Sequence, residues 1–222
     1  TNSDQIACMV IDWDISQAAI EQKLRKAQES LTDEYFLSAF LSDAPKPAAV
    51  LVPLLRAPVN EQGRLGWHLL LTRRSDRLAE HRGQVAFPGG RCDPDDPTPE
   101  ATALREASEE IGIQSDQVNI LGRLSNLLTI TNYSITPIVA IIAWPIPIRL
   151  AAHEVSRVFT IPLHWLADPS HHEIRQRSIP TPYSLQISSE SYPIIYYHPY
   201  DGEVLWGVSA EITNNLIRLL AQ

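Results

Sequence analysis

Hydrophobic and polar positions divide the chain into a helical N-terminal part and a longer part rich in strand-like runs. Between Ser16 and Phe40, apolar residues recur every three to five positions with charges between them, which predicts one or two amphipathic helices. The stretch DAPKPAA, from Asp43 to Ala49, contains two prolines and predicts a linker. We therefore expect a helical extension over residues 1–45 and a main domain over 46–222.

Strand-like runs alternate with two helices in the main domain. The apolar runs 49–55 and 67–74 flank a polar, glycine-containing turn and predict a hairpin. Further strands are predicted at Val85–Phe87, Val118–Leu124, Ile135–Ala143, Val155–Phe159 and Tyr192–Tyr197. One predicted helix carries the sequence LREASEEIG, and another closes the chain. With no internal repeat, this mixture indicates an α/β sandwich with a mixed sheet, between the α+β and α/β classes.

Composition narrows the function classes. The 222 residues, 44% hydrophobic, are sufficient for one domain with a buried core. A formal net charge of −8 argues against general binding to nucleic acid or to an anionic membrane. No apolar run approaches the roughly 20 residues of a membrane span, and the first residues lack the basic segment of a signal peptide. We therefore expect a soluble, cytoplasmic protein that meets any anionic substrate with a few arginines or a metal ion.

The helix from Leu104 to Gly112 concentrates three glutamates within five positions, Glu106, Glu109 and Glu110. On a helix, Glu106 neighbours both others, and like charges so placed cost roughly 0.2–0.5 kcal/mol per pair. For an isolated glutamate pair, a solvated acidic face is the ordinary interpretation. Either solvent screens this repulsion here, or a bound cation compensates it.

The ends of this helix can be read from the sequence. Thr98 is suited to cap it, Pro99 fits the first helical position, and Gly112 suits its left-handed end. The glutamates then lie on an exposed flank, where Arg105 is placed to pair with Glu109.

A glycine turn precedes this helix. Pro88, Gly89 and Gly90 predict a tight turn after a short strand, which lets backbone carbonyls approach a ligand closely. Mg²⁺ and Mn²⁺ prefer carboxylate, carbonyl and water oxygens. A glycine turn followed by an acidic helix therefore predicts a cradle for one of these ions.

These residues resemble the Nudix hydrolases, whose box reads G-x5-E-x7-R-E-U-x-E-E-x-G-U, where U is a bulky aliphatic residue. Gly90 opens the box and REASEEIGI, residues 105–113, closes it. Ala107 is small where U is expected, and Asp96 replaces the first glutamate with one extra residue before Arg105.

The resemblance implies a Nudix-type α/β/α sandwich and metal-dependent cleavage of a nucleoside diphosphate linked to another group. It implies Glu106, Glu109 and Glu110 as ligands of Mg²⁺ or Mn²⁺, with the Gly89 carbonyl as a further ligand. For Arg105 it leaves two interpretations, an ion pair that orients a glutamate or a direct substrate contact. The general base is left open among Glu109 in the box and Glu154 and Glu203 outside it.

A narrower resemblance points to the substrate. The run LLTRRSDRLAEHRGQVAFPGG, Leu70 to Gly90, is similar to the signature of coenzyme A pyrophosphatases, and the similarity extends over about residues 48–221. It implies coenzyme A as substrate and 3′,5′-ADP with 4′-phosphopantetheine as products. Guanidinium groups suit phosphate oxygens, so Arg74 and Arg82 are predicted substrate contacts. His81 is assigned to the same substrate site, with a structural hydrogen bond or a general-base role as alternatives.

Two other interpretations remain. One is a Nudix enzyme for a dinucleoside polyphosphate, a nucleotide sugar or an oxidised nucleotide. The other is a non-catalytic nucleotide-binding module, against which the complete glutamate cluster argues. The N-terminal extension is expected either to cover a sheet edge or to form a homodimer contact.

Overall fold

The computed structural model describes residues 14–29, 44–178 and 191–222. The described helices are α1 (Gln17–Glu29), α2 (Pro99–Ile111), α3 (Leu163–Leu166) and α4 (Gly207–Ala221). The described strands are β1 (Lys46–Pro58), β2 (Leu65–Arg74), β3 (Val85–Ala86), β4 (Gly89–Arg91), β5 (Val118–Arg123), β6 (Leu127–Leu128), β7 (Tyr133–Ile142), β8 (Val155–Pro162), β9 (His172–Ser178) and β10 (Ser191–Tyr197). No helix of these ranges is both long and apolar enough to cross a bilayer.

The sheet is mixed and centres on β1. Strand β1 pairs parallel with β7, with Val50 opposite Pro137, and antiparallel with β2, with Leu54 opposite Leu69. The main path runs β3-β2-β1-β7-β5, while β8 pairs with β2 and β6 pairs with β7. Strands β9 and β10 form a separate antiparallel pair. The predicted mixed sheet is confirmed.

Alternate residues of β1 enter two cores on opposite faces of the sheet. Val52 and Leu54 pack in the cluster that contains Leu24 of α1 and Leu216 of α4. Leu51 packs in a cluster with α2 on the other face. Because successive strand side chains point to opposite faces, the fold is the predicted α/β/α sandwich.

Small residues set the position of α2. Ala103 and Ala107 are completely buried against Ala49 of β1 and Ala140 of β7. A bulkier side chain at this contact would hold the helix further from the sheet, because interiors are close-packed. The small residue at position 107, unexpected from the motif, is therefore part of an alanine-rich contact that brings α2 close to β1.

Two local predictions are wrong. The predicted linker Asp43–Ala49 already contains the first residues of β1, where Lys46 pairs with Tyr133. The predicted tight turn at Pro88–Gly90 contains the start of a strand, since β4 pairs with β1. Both segments look like breakers because of their Pro and Gly content, but β7 and β1 supply backbone partners that local sequence does not show.

The N-terminal helix α1 packs on the main domain. Ile20 and Leu24 are completely buried within the principal core cluster. Just before the helix, the Ile15 carbonyl accepts a 2.8 Å hydrogen bond from the Trp67 indole. The remainder of the predicted helical extension, Leu31 to Phe40, lies outside the described residues.

The burial of Leu24 predicts that α1 contributes to the stability of the whole domain. We expect Leu24→Ala to lower the free energy of unfolding by about 2–5 kcal/mol, since it removes buried methyl groups and leaves a cavity. Urea denaturation measures this change. The matched control is Arg25→Ala on the exposed side of the same helix, for which we expect a change within about 0.5 kcal/mol. Equal stabilities for both variants would show that α1 is not part of the cooperative fold.

Candidate active site

Helix α2 begins and ends where its sequence predicts. The Thr98 hydroxyl accepts a hydrogen bond from the Ala101 amide at 3.2 Å, and Pro99 starts the helix. At the other end, Gly112 has φ 76° and donates its amide to the Ser108 carbonyl at 3.0 Å. A Cβ at Gly112 would lie 2.9 Å from the Arg149 Cβ. The left-handed conformation and the close neighbour both favour glycine.

The segment 149–154 closes the C-terminal end of α2. The amides of Arg149 and Ala151 donate to the carbonyls of Ile111 and Glu110 at 3.0 and 2.9 Å. These carbonyls lack partners within the helix, so the backbone of this segment satisfies them. Glu154 follows directly, and its negative charge acts on Glu106 and Glu110.

Glu110 carries a carboxylate that the fold removes from water. The residue is 3% exposed, and its Oε2 is buried with no hydrogen-bond partner among the described residues. Burial, together with the charges of Glu106 and Glu154, raises the pKa of Glu110 to about 8. Arg74 opposes this rise, with Nη1 3.7 Å from Oε1, as does the Gly89 backbone. An unpaired buried carboxylate oxygen is costly and suits a cation.

Glu106 faces the glycine strand. A Cβ on Gly90 would lie 2.5 Å from Oε1 of Glu106, so a side chain there would displace this carboxylate. Gly89 is more tightly constrained, because its Cβ would lie 2.5 Å from the Ala49 carbonyl oxygen, which belongs to the backbone. Burial raises the pKa of Glu106, although the neighbouring Arg105 counteracts this. The two glycines therefore bring the backbone of β4 directly against the acidic side of α2.

Arg105 is held by several oxygen atoms at once. Its guanidinium donates to Asp96, with a shortest distance of 2.9 Å, and to the Arg91 carbonyl at 3.1 Å. Nη1 also bonds Glu106 at 2.9 Å and Glu109 at 3.2 Å. Asp96 in turn accepts from the Thr102 hydroxyl and the Asp93 amide. The guanidinium lowers the pKa of Asp96. The guanidinium of Arg105 is therefore ion-paired with three carboxylates at once.

Glu109 lies apart from the buried pair. Its side chain is 59% exposed and pairs with Arg105 four residues earlier, as predicted. Across residues 14–29, 44–178 and 191–222, no three His, Cys, Asp or Glu side chains are arranged closely enough to hold a metal ion. The three glutamates are thus neighbours on one helix, while a ligand set formed from all three stays a prediction.

The other predicted site residues lie on the loop between β2 and β3. Arg74 closes this loop, because its amide donates to the Gln84 carbonyl and its carbonyl accepts from Gly83. Its Nε is buried and has no hydrogen-bond partner within the described part of the chain. His81 has φ 57° and an Nδ1 contact of 2.9 Å to Gln84, while Arg82 is exposed. The structure therefore brings Arg74 to the glutamates and places His81 and Arg82 on the connected loop.

Ion pairs connect the start of this loop with β8 and with the residues just after β10. Arg73 bonds Asp76 at 2.9 Å and lies 3.4 Å from Glu203. Arg157 also pairs with Glu203, at 3.4 Å, and with Asp201. Glu203 therefore already pairs with two arginines. The negative charge of Glu154 instead raises the pKa values of Glu106 and Glu110.

Sequence reasoning left two features of this site unassigned. The function of Asp96 was not readable, because its position in the motif predicted a glutamate and the extra residue obscured the register. The signal in the sequence that points to Asp96 is its place nine residues before Arg105 in the motif. Nothing local distinguished Glu154 from Glu203, because the approach of segment 149–154 to α2 depends on the tertiary fold.

Comparison with known proteins agrees with the motif. The NUDIX domain model matches residues 45–181. Two relatives named "Uncharacterized Nudix hydrolase NudL", from Yersinia pestis (strain Pestoides F) and Yersinia pseudotuberculosis serotype O:1b (strain IP 31758), are each 37% identical over 195 residues, covering 87% of this chain and 87% of the relative. A solved MutT/nudix family protein from Enterococcus faecalis is 18% identical, with a TM-score of 0.47, and covers 94% of this chain and 76% of that chain. The domain match spans most of the chain and the relatives match nearly all of it, so this protein belongs to the Nudix hydrolase family.

Proposed function

We propose that this Nudix hydrolase cleaves the diphosphate bond of coenzyme A or a derivative, giving 3′,5′-ADP and 4′-phosphopantetheine, with Mg²⁺ or Mn²⁺ bound at α2. One observation carries the proposal for the site. The unpaired, buried oxygen of Glu110 lies beside Arg74, whose buried Nε is also unpaired among the described residues. A buried carboxylate oxygen and a buried guanidinium nitrogen, both without a hydrogen-bond partner and on adjacent side chains, suit a metal–diphosphate complex. The support for coenzyme A is the run from Leu70 to Gly90.

The residues of α2 and β4 fit a divalent ion. Glu110 and Glu106 would hold it, since burial disfavours their ionised forms until a cation compensates. We assign the Gly89 carbonyl and Glu109 as supplementary ligands. When bound, the ion screens the phosphate charge and lowers the pKa of an attacking water.

Arginines of the β2–β3 loop would bind the phosphates. Arg74 lies at the glutamates and is released from Glu110 once a cation takes that carboxylate, so we assign it to the diphosphate. Arg82 is exposed on the same loop and is assigned to a second phosphate of the substrate. His81 shapes the loop through its contact with Gln84, and its exposed ring stays a candidate substrate contact.

Glu154 is favoured as the general base over Glu203. It acts electrostatically on both Glu106 and Glu110, whereas Glu203 is held by Arg73 and Arg157. A base must lie within reach of the water that it deprotonates, and the electrostatic influence of Glu154 on both glutamates supports its assignment. Glu109 remains the alternative within the motif.

The first experiment incubates the protein with coenzyme A and Mg²⁺ or Mn²⁺ and identifies products by mass spectrometry. We expect Glu110→Gln to lower kcat by orders of magnitude, about 10²-fold or more, because it removes a charged metal ligand. The control Glu80→Gln makes the same chemical change at an exposed loop position and should retain wild-type turnover.

Two outcomes would contradict parts of this proposal. Wild-type turnover in Glu110→Gln would show that the metal assignment is wrong. The second outcome is that coenzyme A stays intact while a dinucleoside polyphosphate, nucleotide sugar or oxidised nucleotide is cleaved. It would retain the assignment of the glutamates but refute coenzyme A as the substrate.

The pKa of Glu110 predicts a pH dependence of stability in the metal-free protein. The folded state retains a proton up to about pH 8, while the unfolded chain releases it near 4.5. The free energy of unfolding should therefore fall as pH rises between about 5 and 8. Excess Mg²⁺ should reduce this slope, because metal binding favours the ionised form. Denaturation at several pH values measures it, and an unchanged slope in Glu110→Gln would show that Glu110 is ionised in the folded protein.

The pair of Asp96 and Arg105 predicts an effect on turnover. We expect Asp96→Asn to lower kcat or metal affinity by about 10–100-fold, because it weakens the fixation of a group that orients the metal ligands. KM for the substrate should change little. The neighbouring exposed Asp95 provides the control variant Asp95→Asn. Equal kinetic constants for both variants would show that Asp96 does not contribute to the active site.

A further inference from the structure

A cleft of about 630 Å³ lies between α1, α4 and the end of β5. Lys23 and Lys26 of α1, Arg123 of β5 and Arg218 of α4 line it. These residues belong to none of the groups assigned to the active site. The volume is within the range of small-molecule sites, roughly 300–1,000 Å³.

The lining of this cleft is basic, although the chain as a whole is acidic. The sequence has 18 basic and 26 acidic residues, and lysine occurs only three times, so two of the three lysines are here. No aspartate or glutamate lines the cleft within the described ranges. Lys23 and Lys26 are three apart on a helix, where like charges repel each other. The cleft therefore concentrates positive charge on a chain that is acidic as a whole.

Among the described residues, ion pairs compensate one of the four cations. Arg123 binds Glu100 through two hydrogen bonds of 2.6 and 2.7 Å. Lys23, Lys26 and Arg218 make no ion pair with any described residue. Within the described part of the chain, three positive charges in the cleft thus have no carboxylate partner.

Helix-end electrostatics does not account for the whole arrangement. Lys26 and Arg218 lie in the last turns of α1 and α4, where the helix dipole favours cations. That effect explains each residue separately. It does not explain Lys23, which lies earlier in its helix, or the convergence of both helix ends on one cleft.

Apolar side chains also line the cleft. Leu124 and Leu219 belong to its lining, although most of each residue is buried. Cations beside apolar side chains suit a ligand that combines phosphate groups with an organic part. The net charge of −8 opposes an extended polyanion, which would also meet the acidic remainder of the surface.

We propose that this cleft is a second ligand site, which binds a small molecule carrying at least two phosphate groups. Lys23, Lys26 and Arg218 contact the phosphate oxygens, and Leu124 and Leu219 contact the organic part. The site does not depend on the proposed coenzyme A hydrolysis, because none of its residues binds the metal or the scissile diphosphate.

Isothermal titration calorimetry with inorganic pyrophosphate tests the phosphate-binding part. Titrations in EDTA exclude metal-mediated binding at α2, and about 0.15 M salt confines charge effects to a Debye length of roughly 8 Å. We expect Lys26→Glu and Arg218→Glu each to raise the dissociation constant at least about tenfold, since each removes a charge-assisted contact. The matched control is Arg25→Glu, an equal charge change on the exposed side of α1, and it should stay within about twofold.

The design separates the cleft from other sites. Glu110→Gln should bind pyrophosphate like the wild type, so failure of the proposed hydrolysis leaves this result unaffected. Lys26→Gln provides a milder variant if charge reversal disturbs α1. Absence of binding at millimolar pyrophosphate would overturn the proposal, as would equal weakening by Arg25→Glu. Binding abolished by Arg82→Glu but unchanged by Lys26→Glu would place the anion at the β2–β3 loop instead.

Discussion

Glu110 is carried by a helix that packs so close to the sheet that water does not reach its carboxylate. Burying an ionised carboxylate without a partner is expensive, and a group in this position takes up a proton unless a cation compensates it. The neighbours of Glu110 follow from this constraint. Arg74 supplies partial compensation at 3.7 Å, the Gly89 backbone favours the ionised form, and a bound divalent ion would complete it.

The close approach that buries Glu110 depends on small residues at two contacts. Ala103 and Ala107 allow α2 to lie near β1 and β7, and Gly90 leaves space for the Glu106 carboxylate. Packing and electrostatics are therefore coupled in this site. A larger residue at either contact would move the helix outward and admit water, which would lower the energetic cost of ionising the Glu110 carboxylate.

Basic side chains are outnumbered by acidic ones in this chain, and they differ in whether they form ion pairs. Arg105, Arg73 and Arg157 are engaged in ion pairs that hold acidic groups in place. Within the described ranges, Arg82 of the β2–β3 loop and Lys23, Lys26 and Arg218 between α1 and α4 make no ion pair. Unpaired positive charge on a negative protein marks the places where an anionic ligand competes least with internal carboxylates.

The sequence by itself determined the ends of α2, the glutamate spacing, most strands and the mixed sandwich, because caps, helical periodicity and alternating apolar runs are local properties. Tertiary structure decided what is long-range. It turned the proline- and glycine-rich segments at Lys46 and Gly89 into paired strands, gave Asp96 its contact with Arg105, and brought Glu154 rather than Glu203 to the glutamates. It also decided which glutamate is buried. The spacing of Glu106, Glu109 and Glu110 places them on one flank, but only the packing of β4 and segment 149–154 against that flank sets their different exposures to water.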